Sequence, residues 1–163
     1  MEYELIRDQI KEHDKASCLK VLKYEKSKCW SYAYLSRWVV LESGLKLIFD
    51  EKNKLNIRTL AEEWVNYLDG KSKSKPDNIK NFTLQTQTIP PYSFLQNIFG
   101  TCNNIKKALD SNEKYRPKRN RIAHKAEEFM SEKNYLEYKG LVDKAIKQMI
   151  TKLSQKANLT SGS

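Results

Sequence analysis

The chain has 163 residues, room for one domain, and carries 30 Lys plus Arg against 20 Asp plus Glu, a net charge of +10. Five Gly, four Pro and 39% apolar residues exclude collagen, long linkers and turn-rich β-sandwiches. No apolar run approaches the roughly 20 residues that span a bilayer, so no membrane partner is expected. Met1-Glu2-Tyr3-Glu4 lacks the basic and apolar regions of a secretory signal. The three cysteines, Cys18, Cys29 and Cys102, form no CxxC pair. Both features fit a reducing cytoplasm.

Periodicity is mostly helical. Leu5, Ile6 and Ile10 mark a short amphipathic helix with a break expected at Asp14. Residues 14–28 show no clear period. From Trp30 to Asp50 an apolar-rich segment covers much of a helix circumference and predicts the central helix of a bundle. Thr59-Leu60-Ala61-Glu62 matches a capping box, so a third helix should start there and stop at Asp69-Gly70. Residues 71–91 are polar, with a weak strand signal at 82–87. Leu95, Ile98, Phe99, Cys102, Ile105 and Leu109 then fall on one stripe, a single helix over 93–110. Pro117 suits the first turn of the next helix. Tyr138, Val142, Ala145, Met149 and Leu153 recur at steps of four and three, the seam of a bundle helix over 134–155. The expectation is an all-α antiparallel bundle of five to six helices, one domain over 1–158, with 159–163 a disordered tail or cloning scar.

An excess of ten cations favours polyanions, nucleic acid first. The charge is unevenly spread: Lys114, Arg116, Lys118, Arg119, Arg121 and Lys125 lie in twelve residues with no acid among them. Lys71, Lys73, Lys75 and Lys80 sit in a Ser/Pro/Asn segment and read as a solvated loop.

Chemistry has few candidates. His13 reads as a surface residue, and His13, Cys18 and Cys29 lack the fourth ligand and the spacing of a zinc site. There is no phosphate-binding glycine loop and no GxSxG. No metal or other cofactor is expected. His124 differs. On a helix it lies about 200° from Ile122, whose face with Ala126 and Phe129 reads as the core side, so the imidazole should be exposed. Asn120 precedes it by four residues and should neighbour it. The imidazole, the neighbouring amide and four or five cations are expected to share one helix N-terminus, which itself attracts anions.

Histidine, arginine and amide together suit metal-free RNA cleavage. Imidazole serves as base for the ribose 2′-OH or as acid for the departing 5′ oxygen, and a guanidinium holds the charge that builds on the phosphoryl group. One histidine does not readily fill both roles, and a two-fold dimer that pairs two copies of His124 in one cleft would.

Arg119-Asn120-Arg121-Ile122-Ala123-His124 resembles the motif of the HEPN superfamily (higher eukaryotes and prokaryotes nucleotide-binding domains), in its Arg-Asn-x-Ile-Ala-His branch. The resemblance covers about residues 92–155. It implies a helical bundle and a metal-independent endoribonuclease that acts as a homodimer. Such proteins occur as toxins with an antitoxin, in phage defence and in RNA processing. It further implies Arg119 and His124 as catalytic residues with Asn120 in support. Arg116, Lys118, Arg121 and Lys125 would hold flanking phosphates. Lys125 stands where the branch often has Gly, which predicts a helix that continues past His124. Ala126 stands where the subgroup paired with nucleotidyltransferase antitoxins usually has Tyr. Two other readings remain: a non-catalytic HEPN-like module that binds RNA, nucleotide or a protein partner, and a basic helical module that binds DNA.

Overall fold

A computed structural model describes residues 2–52, 57–71 and 91–161. The described residues form seven helices and no strand, an all-α protein with more helices than the sequence predicts. They are α1 (Tyr3–Lys26), α2 (Trp30–Lys52), α3 (Ile57–Leu68), α4 (Tyr92–Phe99), α5 (Asn103–Leu109), α6 (Tyr115–Lys125) and α7 (Glu132–Ser161). The expected strand at 82–87 and the lysines at 73, 75 and 80 lie outside the described residues. No described helix is long and apolar enough to cross a membrane. The chain divides into two compact units, Leu45–Pro90 and, separately, Glu2–Gly44 with Pro91–Ser163.

In the larger unit α1 and α5 lie along α7, and α5 also meets α4 and α6. The break expected at Asp14 does not occur. Ile6, Ile10, Ser17 and Val21 are the buried residues of α1, at steps of four, seven and four. A serine takes one core position, which hides the apolar period from the sequence. The Ser17 hydroxyl donates to the Ser36 carbonyl at 3.0 Å and accepts from Arg37 Nη1 at 3.2 Å. Arg37, only 4% exposed, joins three helices: Nη2 donates to Asp14 Oδ1 and Nε to Asp143 Oδ1, both at 2.6 Å. Burial works against its charge, but Asp143 and Asp14 more than offset that and hold its pKa above the ordinary value.

Leu95, Phe99, Cys102, Ile105 and Leu109 are all buried, as the stripe predicts. The stripe nevertheless spans two helices. Gly100, at φ +71° and ψ −155°, turns the chain between them. The N–H groups that the break leaves without a helical partner are then met by side chains. Tyr92 Oη accepts from Cys102 N at 2.8 Å. Gln148 Oε1 accepts from Asn104 N and Ile105 N at 3.0 and 3.1 Å. In α7 the five seam residues are buried as predicted, and the helix runs on through Leu159 to Ser161 where a tail was expected.

An aromatic cluster joins α2, α6 and α7. Phe129 stands edge-on to Tyr34, Tyr138 and Tyr135, with centroids 5.2–5.6 Å apart. Tyr34 is fully buried and donates its hydroxyl to the Tyr115 carbonyl at 3.1 Å, which fixes the first residue of α6. Burial pushes the pKa of that hydroxyl well above its ordinary value. At Gly44 a Cβ would lie 2.9 Å from Met149 Sδ and 3.2 Å from Ile10 Cδ1, so α2 needs a hydrogen there.

In the smaller unit Thr59 falls inside α3, two residues past its start, so the expected capping box does not open that helix. The stop at Asp69-Gly70 holds. Gly70 has φ +70°, Lys71 N bonds Asn66 O at 2.9 Å, and Gly70 N bonds Tyr67 O at 3.2 Å, a Schellman ending. Trp64 and Tyr67 stack at 6.0 Å.

Candidate active site

The motif lies on α6 and the segment after it, but not at the expected end of the helix. Pro117 occupies the first turn, where its missing N–H is harmless. Arg119 to His124 fill the remaining turns, and His124 stands in the last one. The imidazole therefore meets the end of α6 that carries partial negative charge, not the anion-attracting N-terminus. The helix runs one residue past His124, to Lys125, and ends there. Ala126 caps it in the left-handed region at φ 51°, and its N–H returns to Arg121 O. Ala126 is consequently exposed instead of lying on a core face, and Phe129 reaches the core from the following segment. Ile122 is buried and His124 is exposed, as the 100° spacing predicts.

The six cations of 114–125 have different fates. Lys114 pairs with Glu137. Lys118, 4% exposed, donates to Glu127 Oε1 at 2.5 Å and to the Glu128 carbonyl at 2.8 Å. Its ammonium also lies 4.6 Å from the Phe129 ring centroid. The structure thus places Lys118 inside, folding the 126–130 segment back onto α6. It does not join a surface that meets phosphate, contrary to the sequence expectation. Arg121, half-exposed, donates from Nε to Glu127 Oε2 at 2.6 Å. These contacts hold the Glu127 carboxyl below its usual range, Lys118 contributing first and Arg121 next. Arg116 donates to the Leu109 carbonyl at 3.2 Å. Lys125 is exposed and pairs with no described residue.

Arg119 is held by a residue that sequence reasoning did not single out. Its Nη2 donates to Glu42 Oε2 at 3.1 Å and lies 2.8 Å from Oε1. Glu42, on α2, is mostly buried: its side chain is 12% exposed and that of Arg119 19%. Burial pushes the Glu42 carboxyl above its ordinary value, and the charges of Arg119 and Arg116 pull it back. Arg119 Nη1 donates to Asn120 Oδ1 at 3.0 Å. The amide thus serves the guanidinium, and no hydrogen bond joins Asn120 to His124 among the described residues. The helix places Arg119 and His124 about 7.5 Å apart along its axis and about 140° apart around it. What the fold brings together is Glu42, Arg119 and Asn120, with Arg116 close enough to act on Glu42. His124 remains exposed beyond them, with no hydrogen bond or ion pair to a described residue. A carboxylate on an apolar helix 77 positions away left no local sign, although Glu42 is the one acid between Trp30 and Phe49.

His13 is exposed and its Nδ1 lies 2.9 Å from Ser43 Oγ. Among the described residues no cluster of three or more His, Cys, Asp or Glu is placed to hold a metal ion.

Comparison with known proteins finds no matching family model, no matching curated protein and no matching solved structure.

Proposed function

We propose that the chain is a metal-independent endoribonuclease of HEPN type, a helical bundle that works as a homodimer in the cytoplasm. The observation that carries this reading is the exposed, unpaired imidazole of His124 on the helix whose Arg119 is braced by Glu42. An imidazole of this kind removes the proton of the ribose 2′-OH. The 2′ oxygen then bonds to phosphorus, the bond from phosphorus to the 5′ oxygen breaks, and that oxygen takes up a proton. The products are a 2′,3′-cyclic phosphate and a 5′-hydroxyl. Arg119 supplies the fork that holds the phosphoryl charge, and Asn120 and Glu42 set its orientation. A second copy of His124 from the partner subunit supplies the acid. Lys125 and Arg116, which have no acidic hydrogen-bond partner among the described residues, are left for flanking phosphates, and Arg121 reaches one only by sharing its guanidinium with Glu127. A role as toxin or phage-defence effector, with an antitoxin or other regulatory protein, fits this chemistry.

The test is the mapping of cleaved RNA ends in the presence of EDTA. A 2′,3′-cyclic phosphate made by the wild type and absent with a folded His124→Ala variant supports the mechanism. Full cleavage of a substrate with a 2′-deoxy scissile sugar overturns it.

A second reading, a non-catalytic HEPN-like module that binds RNA, nucleotide or protein, is favoured by one observation. Arg119 already has a mostly buried carboxylate partner, which suits a structural brace as well as a catalytic group. It is distinguished by RNA binding that persists without any cleavage.

A further inference from the structure

The fold gives Lys114, Lys118, Arg119 and Arg121 of the motif segment acidic partners, and it leaves several lysines of α5 and α7 without one among the described residues. From Lys144 to residue 163 the chain has four lysines and no acid, and α5 adds Lys106 and Lys107. None of Lys106, Lys144, Lys147, Lys152 and Lys156 forms an ion pair with a described residue. In α6, by contrast, Lys118, Arg119 and Arg121 all do. The neighbouring acid Asp143 is taken by Arg37 and Lys139.

Three of these lysines share a groove. Lys144, Lys147, Gln148, Thr151 and Lys152, together with Asn104 of α5, line an open depression of about 290 Å³. The five α7 residues stand at i, i+3, i+4, i+7 and i+8, one face of the helix. From Lys144 to Lys152 that face runs about 12 Å. Stacked duplex DNA advances about 3.4 Å per nucleotide along its axis and an unstacked single strand advances more, so a few successive phosphates fit along it. The ammonium groups share this face with the neutral hydrogen-bonding groups of Gln148 and Thr151. Gln148 gives its Oε1 to two backbone N–H groups of α5, which fixes the side chain and leaves the amide N–H₂ as a donor. None of the large exposed apolar residues lines the groove. A membrane-binding face needs such residues to insert, and a sugar-phosphate backbone does not.

We propose that this α5–α7 groove is an RNA-backbone binding surface, additional to the residues of α6, that holds the strand by its phosphates without reading sequence. The choice of RNA among polyanions rests on the ribonuclease reading above. None of the six lining residues belongs to α6, so the surface adds affinity and leaves the chemistry to His124 and Arg119.

The experiment measures binding of a labelled single-stranded oligouridylate to the His124→Ala protein across a salt series. The same protein carrying Lys144→Gln, Lys147→Gln and Lys152→Gln is compared with it. Each lost phosphate contact lowers the slope of log affinity against log salt by about 0.7 for single strands, so the triple variant loses about 2. At physiological salt that corresponds to a Kd higher by tens of fold. An unchanged slope and Kd in a folded triple variant overturn the groove, as does lysine-dependent binding of duplex DNA or of phosphatidylserine vesicles with none of RNA. Cleavage by the wild type is assayed separately. Lysine-dependent RNA binding by a protein that cuts no RNA therefore keeps the groove and removes the nuclease, while cleavage with lysine-independent binding does the reverse.

Discussion

Lys118 offers the sharpest contrast between a charge read from sequence and the same charge in the fold. Lys118→Met keeps the length of the aliphatic stem and removes the ammonium. The Glu128 carbonyl, now bonded at 2.8 Å, loses a charged donor, a loss worth roughly 1.5–3 kcal/mol. The contact with the Phe129 ring adds about 1 kcal/mol. The pair with Glu127 adds less than about 1 kcal/mol, since that carboxylate is partly exposed and keeps Arg121 as a partner. Relief from burying an ammonium offsets part of the sum. The expected net destabilisation is about 2 kcal/mol. In a chain of this size that lowers Tm by roughly 4–8 °C. Thermal melting followed by circular dichroism measures the shift, and RNA binding across a salt series measures the other half of the argument. A buried structural lysine leaves the salt slope where it was. A wild-type Tm together with a slope lower by about 0.7 would refute the placement and restore Lys118 as a phosphate ligand.

The same cluster predicts a pH dependence. The Glu127 carboxyl is held below its usual value of 4.5, so its stabilisation is present above that pH and is lost as pH falls through the folded value. The Tm difference between wild type and Lys118→Met should therefore narrow in acid, and a difference that widens below pH 4.5 counts against the pairing. Ala126→Gly should raise stability by about 0.5 kcal/mol, because relief of a left-handed alanine exceeds the added chain entropy; a lower denaturation midpoint contradicts the cap. Glu42→Gln should slow RNA cleavage by roughly ten- to hundredfold through a misplaced Arg119, and, because it leaves that guanidinium mostly buried without its charge partner, should also destabilise the fold by up to about 3 kcal/mol. A large loss of stability with unchanged cleavage makes the pair a brace only. Gly44→Leu should be destabilising by about 3 kcal/mol, since the larger side chain has no room beside Met149 and Ile10; a wild-type melting curve argues against that close approach.

The helical class, the buried seam of α7 and the outward position of His124 were all readable from residue order. Each follows from a repeat of 3.6 residues and needs nothing beyond one helix. Reading failed where a polar or small residue stood in for an apolar one, as at Ser17, or where one glycine interrupted a continuous stripe, as at Gly100. A local pattern carries no information about a partner that meets it from another helix. Asp14 looks like a helix breaker until Arg37 takes its carboxylate. The helix breaks at 100–102 because Tyr92 and Gln148 can accept from the N–H groups of Cys102, Asn104 and Ile105.

Charge was the property least accessible in this way. Six cations in twelve residues promise an open basic surface, yet packing sets Lys118 against Phe129 and Arg119 against Glu42, and the free lysines stand on α5 and α7. Periodicity arises from the geometry of a single helix, so it is written in the order of residues. A salt bridge forms between side chains that the chain order separates by tens of positions, and only the packing of one helix on another determines which charges meet and which stay in water.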